Sequence, residues 1–194
     1  MNKKLAAALS GGAVLVAALT GCTSSGGGSE NNDKLDAWAK QVCDAVQPQA
    51  KKIAAANAAI QKETSDNSAP ADVQKTDAKA FQDMSDAYKA IGAAVNSAGA
   101  PNVDGGRKKQ QDAVKELNQL GASYAALKKQ VDELETKDQA KFADGLKDIA
   151  TQLDKLSTTG NVALKNLEEG DVGQAMAKQE SCKSASSSAP ASAG

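Results

Sequence analysis

Residues 73–95 read VQKTDAKAFQDMSDAYKAIGAAV, and their apolar side chains recur at intervals of three and four positions. Such spacing places apolar side chains on one face of an α-helix, whereas a strand would need strict alternation. The segment therefore predicts a long amphipathic helix. Its apolar face comprises Val73, Ala80, Phe81, Met84, Tyr88, Ile91 and Val95.

Three further segments, at 35–60, 114–134 and 142–167, repeat this spacing, and none alternates like a strand. Two of the links between segments carry clear breaks. The link at 65–70 (SDNSAP) ends in Pro, and the link at 99–106 (GAPNVDGG) contains Pro and Gly, which cannot continue a helix. We therefore expect four long helices.

The junction between the third and fourth segments, near 136–138, has neither Gly nor Pro. The two segments could form one long bent helix. We expect a tight turn instead, because a continuous helix would leave half of its apolar face uncovered. Four long helices with short links predict an all-α fold, an up-down-up-down four-helix bundle.

Glycines fall inside the predicted helices at positions 92, 121, 145 and 160. Each Gly in a helix interior costs about 1 kcal/mol relative to Ala. Their presence therefore predicts close helix approach or local bends rather than helix propensity. The core is expected to be thin and rich in small residues.

The first 22 residues have the parts of an export signal. Lys3 and Lys4 are followed by an apolar run at 5–19, which is too short for a comfortable membrane span of about 20 residues. The run ends in LTGC at 19–22, which resembles the lipobox of bacterial lipoproteins at all four positions. The alternatives are an ordinary secretory signal in which Cys22 is incidental, and an uncleaved anchor helix.

The resemblance implies that residues 1–21 are removed and that the Cys22 thiol carries a diacylglyceryl group. Two acyl chains would anchor the chain to a membrane without spanning it. The implied location is the extracytoplasmic face of the cell membrane. In the order of its segments, the chain resembles the small alanine-rich exported lipoproteins of high-GC Gram-positive bacteria. This resemblance does not identify any binding residue in the chain.

Low-complexity stretches flank the predicted bundle. The stretch after Cys22 reads TSSGGGSENND, which lacks apolar side chains and predicts a flexible tether. The end of the chain reads KSASSSAPASAG and predicts a disordered tail. The expected organisation is a signal peptide at 1–21, a lipidated tether at 22–33, a helical domain at 34–182 and a tail at 183–194.

Cysteine usage predicts one disulfide. With Cys22 lipidated, Cys43 and Cys182 remain as an even pair, and an exported chain can oxidise them. In the up-down-up-down topology, residues 171–182 turn back along the first helix as a short fifth helix. The disulfide would hold this fifth helix against the first helix. The alternative is that Cys43 and Cys182 are two separate buried thiols.

Composition excludes several classes of function. The chain has 23 basic and 24 acidic residues, and removal of Lys3 and Lys4 with the leader gives a formal charge of −3, which argues against nucleic acid binding. Histidine is absent, which removes the commonest general base and transition-metal ligand. No phosphate loop, nucleophile elbow or calcium loop occurs. We therefore expect no catalytic residues, no metal and no cofactor.

Two surface features are candidates for contact with other molecules. Arg107, Lys108 and Lys109 form a compact basic cluster, predicted at the same end as the tether and able to face anionic lipid. The alternative is a solvated helix start, because acidic residues crowd that end. Trp38 could anchor a partner, although its place on the apolar face of the first helix favours the core.

Asn57 and Asp77 are predicted to form a polar pair in the core. Both fall near core-facing positions about ten residues from the first interhelical link. A hydrogen bond between them would fix the register of the two helices. The alternative is a small polar pocket.

Two functions fit these observations. The first is a non-enzymatic, membrane-anchored helical module that presents helix faces to an envelope protein or polymer. The second is a small-ligand or lipid carrier that uses the bundle interior. A carrier needs a cavity of several hundred Å³, whereas a partner-binding module needs a packed interior and an exposed apolar patch. The thin core favours the first function.

Overall fold

The computed structural model describes residues 29–63, 68–159 and 162–187, and all regular structure in these ranges is α-helical. The all-α prediction is therefore confirmed. The helices are α1 (Ser29–Glu63), α2 (Pro70–Ala98), α3 (Gly106–Asp132), α4 (Gln139–Thr159), α5 (Val162–Leu167), α6 (Asp171–Ala177) and α7 (Glu180–Ser187).

The helix ends follow local chemistry. Pro70 opens α2, where its missing N–H costs no hydrogen bond. Gly99 ends α2 at a φ of 74°, which glycine adopts without a Cβ penalty. Residues 133–138 separate α3 from α4, so the predicted turn is confirmed. Asp138 marks the start of α4 as its N-cap, because its Oδ1 accepts hydrogen bonds from the N–H groups of Ala140 and Lys141.

The chain order brings α1 and α2 together as antiparallel neighbours. Near the start of α1, Trp38 Nε1 donates to the carbonyl oxygen of Gly99 at the end of α2, at 2.8 Å. Asn102, just beyond α2, donates from Nδ2 to Asn31 Oδ1 at 2.9 Å. The start of α1 therefore lies beside the link between α2 and α3.

Hydrogen bonds also join α2 to α3 and α3 to α4. Ser85 Oγ on α2 donates to the carbonyl oxygen of Gly121 on α3 at 2.7 Å. Gln130 on α3 and Gln152 on α4 exchange amide hydrogen bonds of 3.0 and 2.6 Å. α5 also packs on α3, whereas α6 and α7 pack on α1.

The core lies around α2, which packs against both α1 and α3. All seven apolar positions predicted for this helix are buried. Tyr88 of α2 stacks on Tyr124 of α3 with ring centroids 5.4 Å apart, and Phe81 lies against the same Tyr124 ring. Burial raises the pKa of both tyrosines. Aromatic and aliphatic side chains therefore fill the space between the first three helices.

The predicted close approach of helices is found at Gly92 and Gly121, whereas the close neighbour of Gly145 is the side chain of Leu134, in the link between α3 and α4. A Cβ on Gly121 would lie 3.0 Å from the backbone oxygen of Ser85, and one on Gly145 would lie 2.3 Å from Leu134 Cδ2. A side chain at either position would therefore push the helices apart or displace a core residue. Gly160 lies outside the described residues.

The structure shifts several predicted boundaries. α1 begins at Ser29, inside the stretch predicted as tether, where Glu30 in the first turn favours the helix start. α7 reaches Ser187, inside the predicted tail. The single fifth helix predicted at 171–182 is two helices, because the chain turns between α6 and α7, where the N–H of Gln179 donates to the carbonyl oxygen of Met176.

Pro48 lies inside α1, and sequence analysis did not weigh it. The helix continues through this residue from Ser29 to Glu63. Proline removes one hydrogen bond from the helix, but Pro48 lies on an exposed face, where water can reach the carbonyl group that lost its donor. α1 therefore spans 35 residues, about 52 Å at 1.5 Å per residue.

Candidate functional site

Three parts of the chain meet at one end of the helices, called here the proximal end: the first turns of α1, the link at 99–105 and the turn at 168–170. The hydrogen bonds from Trp38 to Gly99 and from Asn102 to Asn31 join the first two parts. Lys109 Nζ, in the first turn of α3, donates to the carbonyl oxygen of Asn166 in α5 at 2.8 Å and joins the third.

The basic cluster Arg107, Lys108 and Lys109 lies at the proximal end, at the start of α3. Lys108 Nζ is paired with Asp112 at 2.6 Å, and Lys109 is bound to the carbonyl oxygen of Asn166. Both lysines therefore have partners within the protein. The cluster is less available to lipid head groups than its sequence indicates, and its orientation toward a membrane stays a prediction.

Trp38 lies in the core rather than on the surface. Only 6% of the residue is exposed, and its indole N–H is bound to Gly99. The suggestion that Trp38 anchors a partner therefore gives way to its alternative, a core residue. The physical reason is its position on the apolar face of α1, which α2 covers.

Replacing Trp38 with Phe is expected to lower the free energy of unfolding by about 2 kcal/mol, because the Gly99 carbonyl group loses its donor and the ring is smaller. Chemical denaturation measures this change. Trp38 is the only tryptophan, so its fluorescence reports its environment directly. We expect weak quenching by iodide in the folded protein; quenching as strong as that of the unfolded chain would contradict the burial.

The predicted disulfide is confirmed. Cys43 of α1 and Cys182 of α7 are bonded, with Cα atoms 5.0 Å apart. Polar contacts surround the bond: Gln47 Nε2 donates to Ser184 Oγ at 2.5 Å, and Ser181 Oγ donates to Asp44 Oδ1. The α7 helix is therefore held on α1 by the disulfide and by hydrogen bonds.

Hydrogen bonds and a salt bridge extend this contact. The pKa of the Asp44 carboxyl is lowered, first by a hydrogen bond from Lys40 and then by that from Ser181. Lys178 Nζ, just after α6, lies 3.0 Å from Asp36 Oδ1. The segment from α6 onward therefore follows α1 from its first turns to Gln47.

The turn between α5 and α6 is tightly packed. Burial raises the pKa of Glu168, at the end of α5, to about 7. Gly170 has a φ of 70°, and a Cβ on Gly173 would lie only 1.9 Å from the carbonyl oxygen of Glu168. A residue other than glycine at 173 would therefore collide with the backbone of the turn.

Replacing Gly173 with Ala is expected to destabilise the fold by about 2 kcal/mol, because the turn must open to accept the methyl group. The matched control is Gln174→Ala, an exposed change on the same helix that should alter stability by less than about 0.5 kcal/mol. Urea denaturation measures both. Equal stability of the two variants would contradict this packing.

Asp77 is a buried carboxyl without full hydrogen bonding. Only 3% of the residue is exposed, and its Oδ1 has no hydrogen-bond partner among the residues that the structure describes. Its pKa is raised to about 6, first by burial and then by the charge of Glu63 at the end of α1. Asn57 is half-buried, and the described part of the chain shows no hydrogen bond between Asn57 and Asp77. Their pairing stays a prediction.

Sequence analysis missed two polar contacts between α2 and α3. Ser85 is fully buried and binds the Gly121 carbonyl group. Gln74 Nε2 donates to the carbonyl oxygens of Val131 and Leu134, which satisfies the end of α3. For the first contact the sequence did carry a signal, namely a small polar residue, Ser85, on α2 and a glycine, Gly121, inside α3. The side chains of Ser85 and Gln74 both bind backbone carbonyl groups of α3 or of the link after it, so both contacts are structural.

The surface offers no large apolar patch within the described ranges, where Val162 is the one large hydrophobic residue that is exposed. In the same ranges, His, Cys, Asp and Glu form no group of three or more that could hold a metal ion. The apolar patch expected of a partner-binding module is therefore not found in this part of the chain. Any recognition by the described surface must rely on polar and charged groups.

Cys22 lies outside the described residues. Among the helices that the structure describes, none is both long and apolar enough to cross a membrane. Comparisons with protein families, curated sequences and solved structures found no match.

Proposed function

We propose that this protein is an extracytoplasmic lipoprotein, anchored to the cell membrane through diacylglyceryl Cys22. Its helical domain is a non-enzymatic module that presents helix faces to an envelope protein or polymer. The observation that carries this proposal is the sequence LTGC at 19–22 after a short apolar run. The first described helix starts at Ser29, so the anchor would lie seven residues before the domain.

The domain in this proposal is an up-down-up-down bundle of α1 to α4. The antiparallel contacts between consecutive helices support that arrangement. The start of α1 belongs to the proximal end, which would then face the lipid. The opposite end of α1 would project into the envelope, because α1 is about 52 Å long.

The packing of the interior favours a module over a carrier. Phe81, Tyr88 and Tyr124 pack against one another between α2 and α3, and both tyrosines are buried. Gly121 brings the same two helices into close contact. A ligand in this region would have to displace stacked rings, whereas a partner on a helix face would leave the core unchanged.

Native mass spectrometry of protein released by detergent from its own host tests the proposal. We expect a chain without residues 1–21, with the added mass of a diacylglyceryl group and with one disulfide. A Cys22→Ala variant is the control and should lose both the added mass and the membrane association. Wild-type protein that keeps residues 1–21, or that is cleaved without lipid, would overturn the proposed anchoring.

The same spectrum separates the two functions. A second protein or a polymer bound to the lipidated chain would support the module. A retained small molecule that leaves only when the protein unfolds would instead support the carrier. Both results concern the helical domain and are independent of the mass of the anchor.

A further inference from the structure

The second half of α1 carries an excess of positive charge, because three lysines stand against one acidic residue, Glu63, at its end. Residues 45–62 contain three lysines and no acidic residue. All three lysines are exposed, and so are three of the alanines between them, Ala55, Ala58 and Ala59. At 100° per residue, these positions share the outward side of the helix. We call this surface the lysine face; it consists of Lys51, Lys52, Lys62, Ala55, Ala58 and Ala59.

Several other lysines on the helices are paired with a carboxylate one turn away. Examples are Lys40 with Asp44 at 2.6 Å and Lys79 with Asp83 at 2.5 Å. The same spacing joins lysine and aspartate twice in α3. Within the described residues, the lysines of the lysine face form no ion pair and no hydrogen bond. Their charge is therefore available to an outside anion.

The rest of the described protein leaves this face open. α2 packs against the opposite, buried side of α1, where Ala56 and Ile60 lie. The salt bridge and the hydrogen bonds that join the segment from α6 onward to α1 run from Asp36 to Gln47. They therefore end before Lys51.

The geometry suits an extended anion. Lys51 and Lys62 are eleven residues apart, about 16 Å along the helix axis. Lys52 lies about 100° around the helix from Lys51. Between the lysines, the three alanines extend only to Cβ, so a flat polymer chain can approach the helix closely. The ammonium groups can then reach anionic groups along that chain, each as a point charge with three donors.

We propose that the lysine face binds a linear polymer with a sugar or polyol backbone and phosphodiester groups. This inference rests on the proposed function for its setting in the envelope. A protein partner fits less well, because lysine is depleted in protein interfaces and the face offers no aromatic, Arg or large apolar anchor. A second copy of this face would bring like charges together.

The test is a binding titration of the full chain, in detergent, with poly(glycerol phosphate) of defined length. The variant K51Q/K52Q/K62Q should bind about tenfold more weakly or worse. The matched control K75Q/K115Q/K147Q removes the same charge from exposed positions on other helices and should bind within about twofold of the wild type. If three phosphates are contacted, raising the salt from about 50 to 200 mM should weaken wild-type binding about 20-fold.

Three results would overturn the inference. Equal losses in the two triple variants would indicate general charge attraction, and no loss in either would place the binding elsewhere. Stronger binding of phosphatidylglycerol vesicles or of an acidic helical peptide, abolished by K51Q/K52Q/K62Q, would assign the face to a different class of partner. Amide shifts of Ala55 and Ala59 on addition of the polymer are the second readout and do not depend on stability.

The failure of this inference is distinguishable from failure of the anchoring. A Cys22→Ala chain lacks the lipid but keeps the lysine face, so it should bind the polymer with unchanged affinity. If the wild type is correctly lipidated but does not bind the polymer, only the lysine-face inference is overturned. Polymer binding by a wild type without lipid would overturn the anchoring alone.

Discussion

Loss of the Cys43–Cys182 disulfide is expected to lower the free energy of unfolding by about 5 kcal/mol. The bond closes a loop across a sequence separation of 139 residues, and in the chain-entropy model such a loop restricts the unfolded chain strongly. The effect should be large because a typical domain has only about 5 to 15 kcal/mol of stability. Urea denaturation of the Cys43→Ser/Cys182→Ser variant measures it.

Reduction of the wild type by a phosphine is the control for this prediction, because it breaks the bond without changing either side chain. Both samples should unfold at the same, lower urea concentration. Hydrogen exchange should also rise first in α7, because none of its described residues belongs to the hydrophobic core and hydrogen bonds join it to α1. Unchanged stability in both samples would show that the disulfide does not restrict the unfolded chain as the loop model requires.

Replacing Asp77 with Asn is expected to stabilise the protein at pH 8 by up to about 3 kcal/mol. The folded pKa of Asp77 is about 6, whereas its ordinary value is 3.8. Above pH 6 the carboxylate is ionised in both states, and the folded state bears the full cost of a buried charge next to Glu63. Below pH 3.8 it is protonated in both states, and this cost is absent.

The stability of the wild type should therefore rise toward that of Asp77→Asn as the pH falls from 6 to 4. Urea denaturation at several pH values measures the difference between the two proteins, in which the contribution of Glu168, common to both, cancels. Asp86→Asn is the matched control: Asp86 is an exposed residue of α2, and its replacement should give no gain that depends on pH. A difference between wild type and Asp77→Asn that stays constant from pH 8 to 4 would contradict the raised pKa.

The helices themselves could be predicted because their signals are local. Periodic apolar residues mark α2 over its whole length, and Pro70 and Gly99 mark its ends. The disulfide could also be predicted. Only two cysteines remained after Cys22 was assigned to the lipid, and in the expected topology the end of the chain lies beside α1. The α3–α4 turn was harder, since its signal is the single cap Asp138.

The candidate sites were less predictable because they depend on what each residue faces. The sequence favoured the core for Trp38 but left a partner anchor open, and the contact of its N–H group with Gly99 decided between them. The basic cluster at 107–109 read as free charge, but Lys109 is bound to the carbonyl group of Asn166, which lies 57 residues away in the sequence. Lysines without an ion pair lie instead on the lysine face. The sequence did not show this, because it does not tell which lysines are exposed and which have a carboxylate partner.

The sequence by itself determined the helical class, the positions of the long helices and the pairing of Cys43 with Cys182. Each rests on periodicity, on capping or on cysteine number, which are properties of the chain alone. Only the tertiary structure decided the burial of Trp38, the unpaired state of Asp77 and the openness of the lysine face. The physical reason is that burial and charge compensation depend on groups far apart in sequence, which only packing brings together or keeps apart.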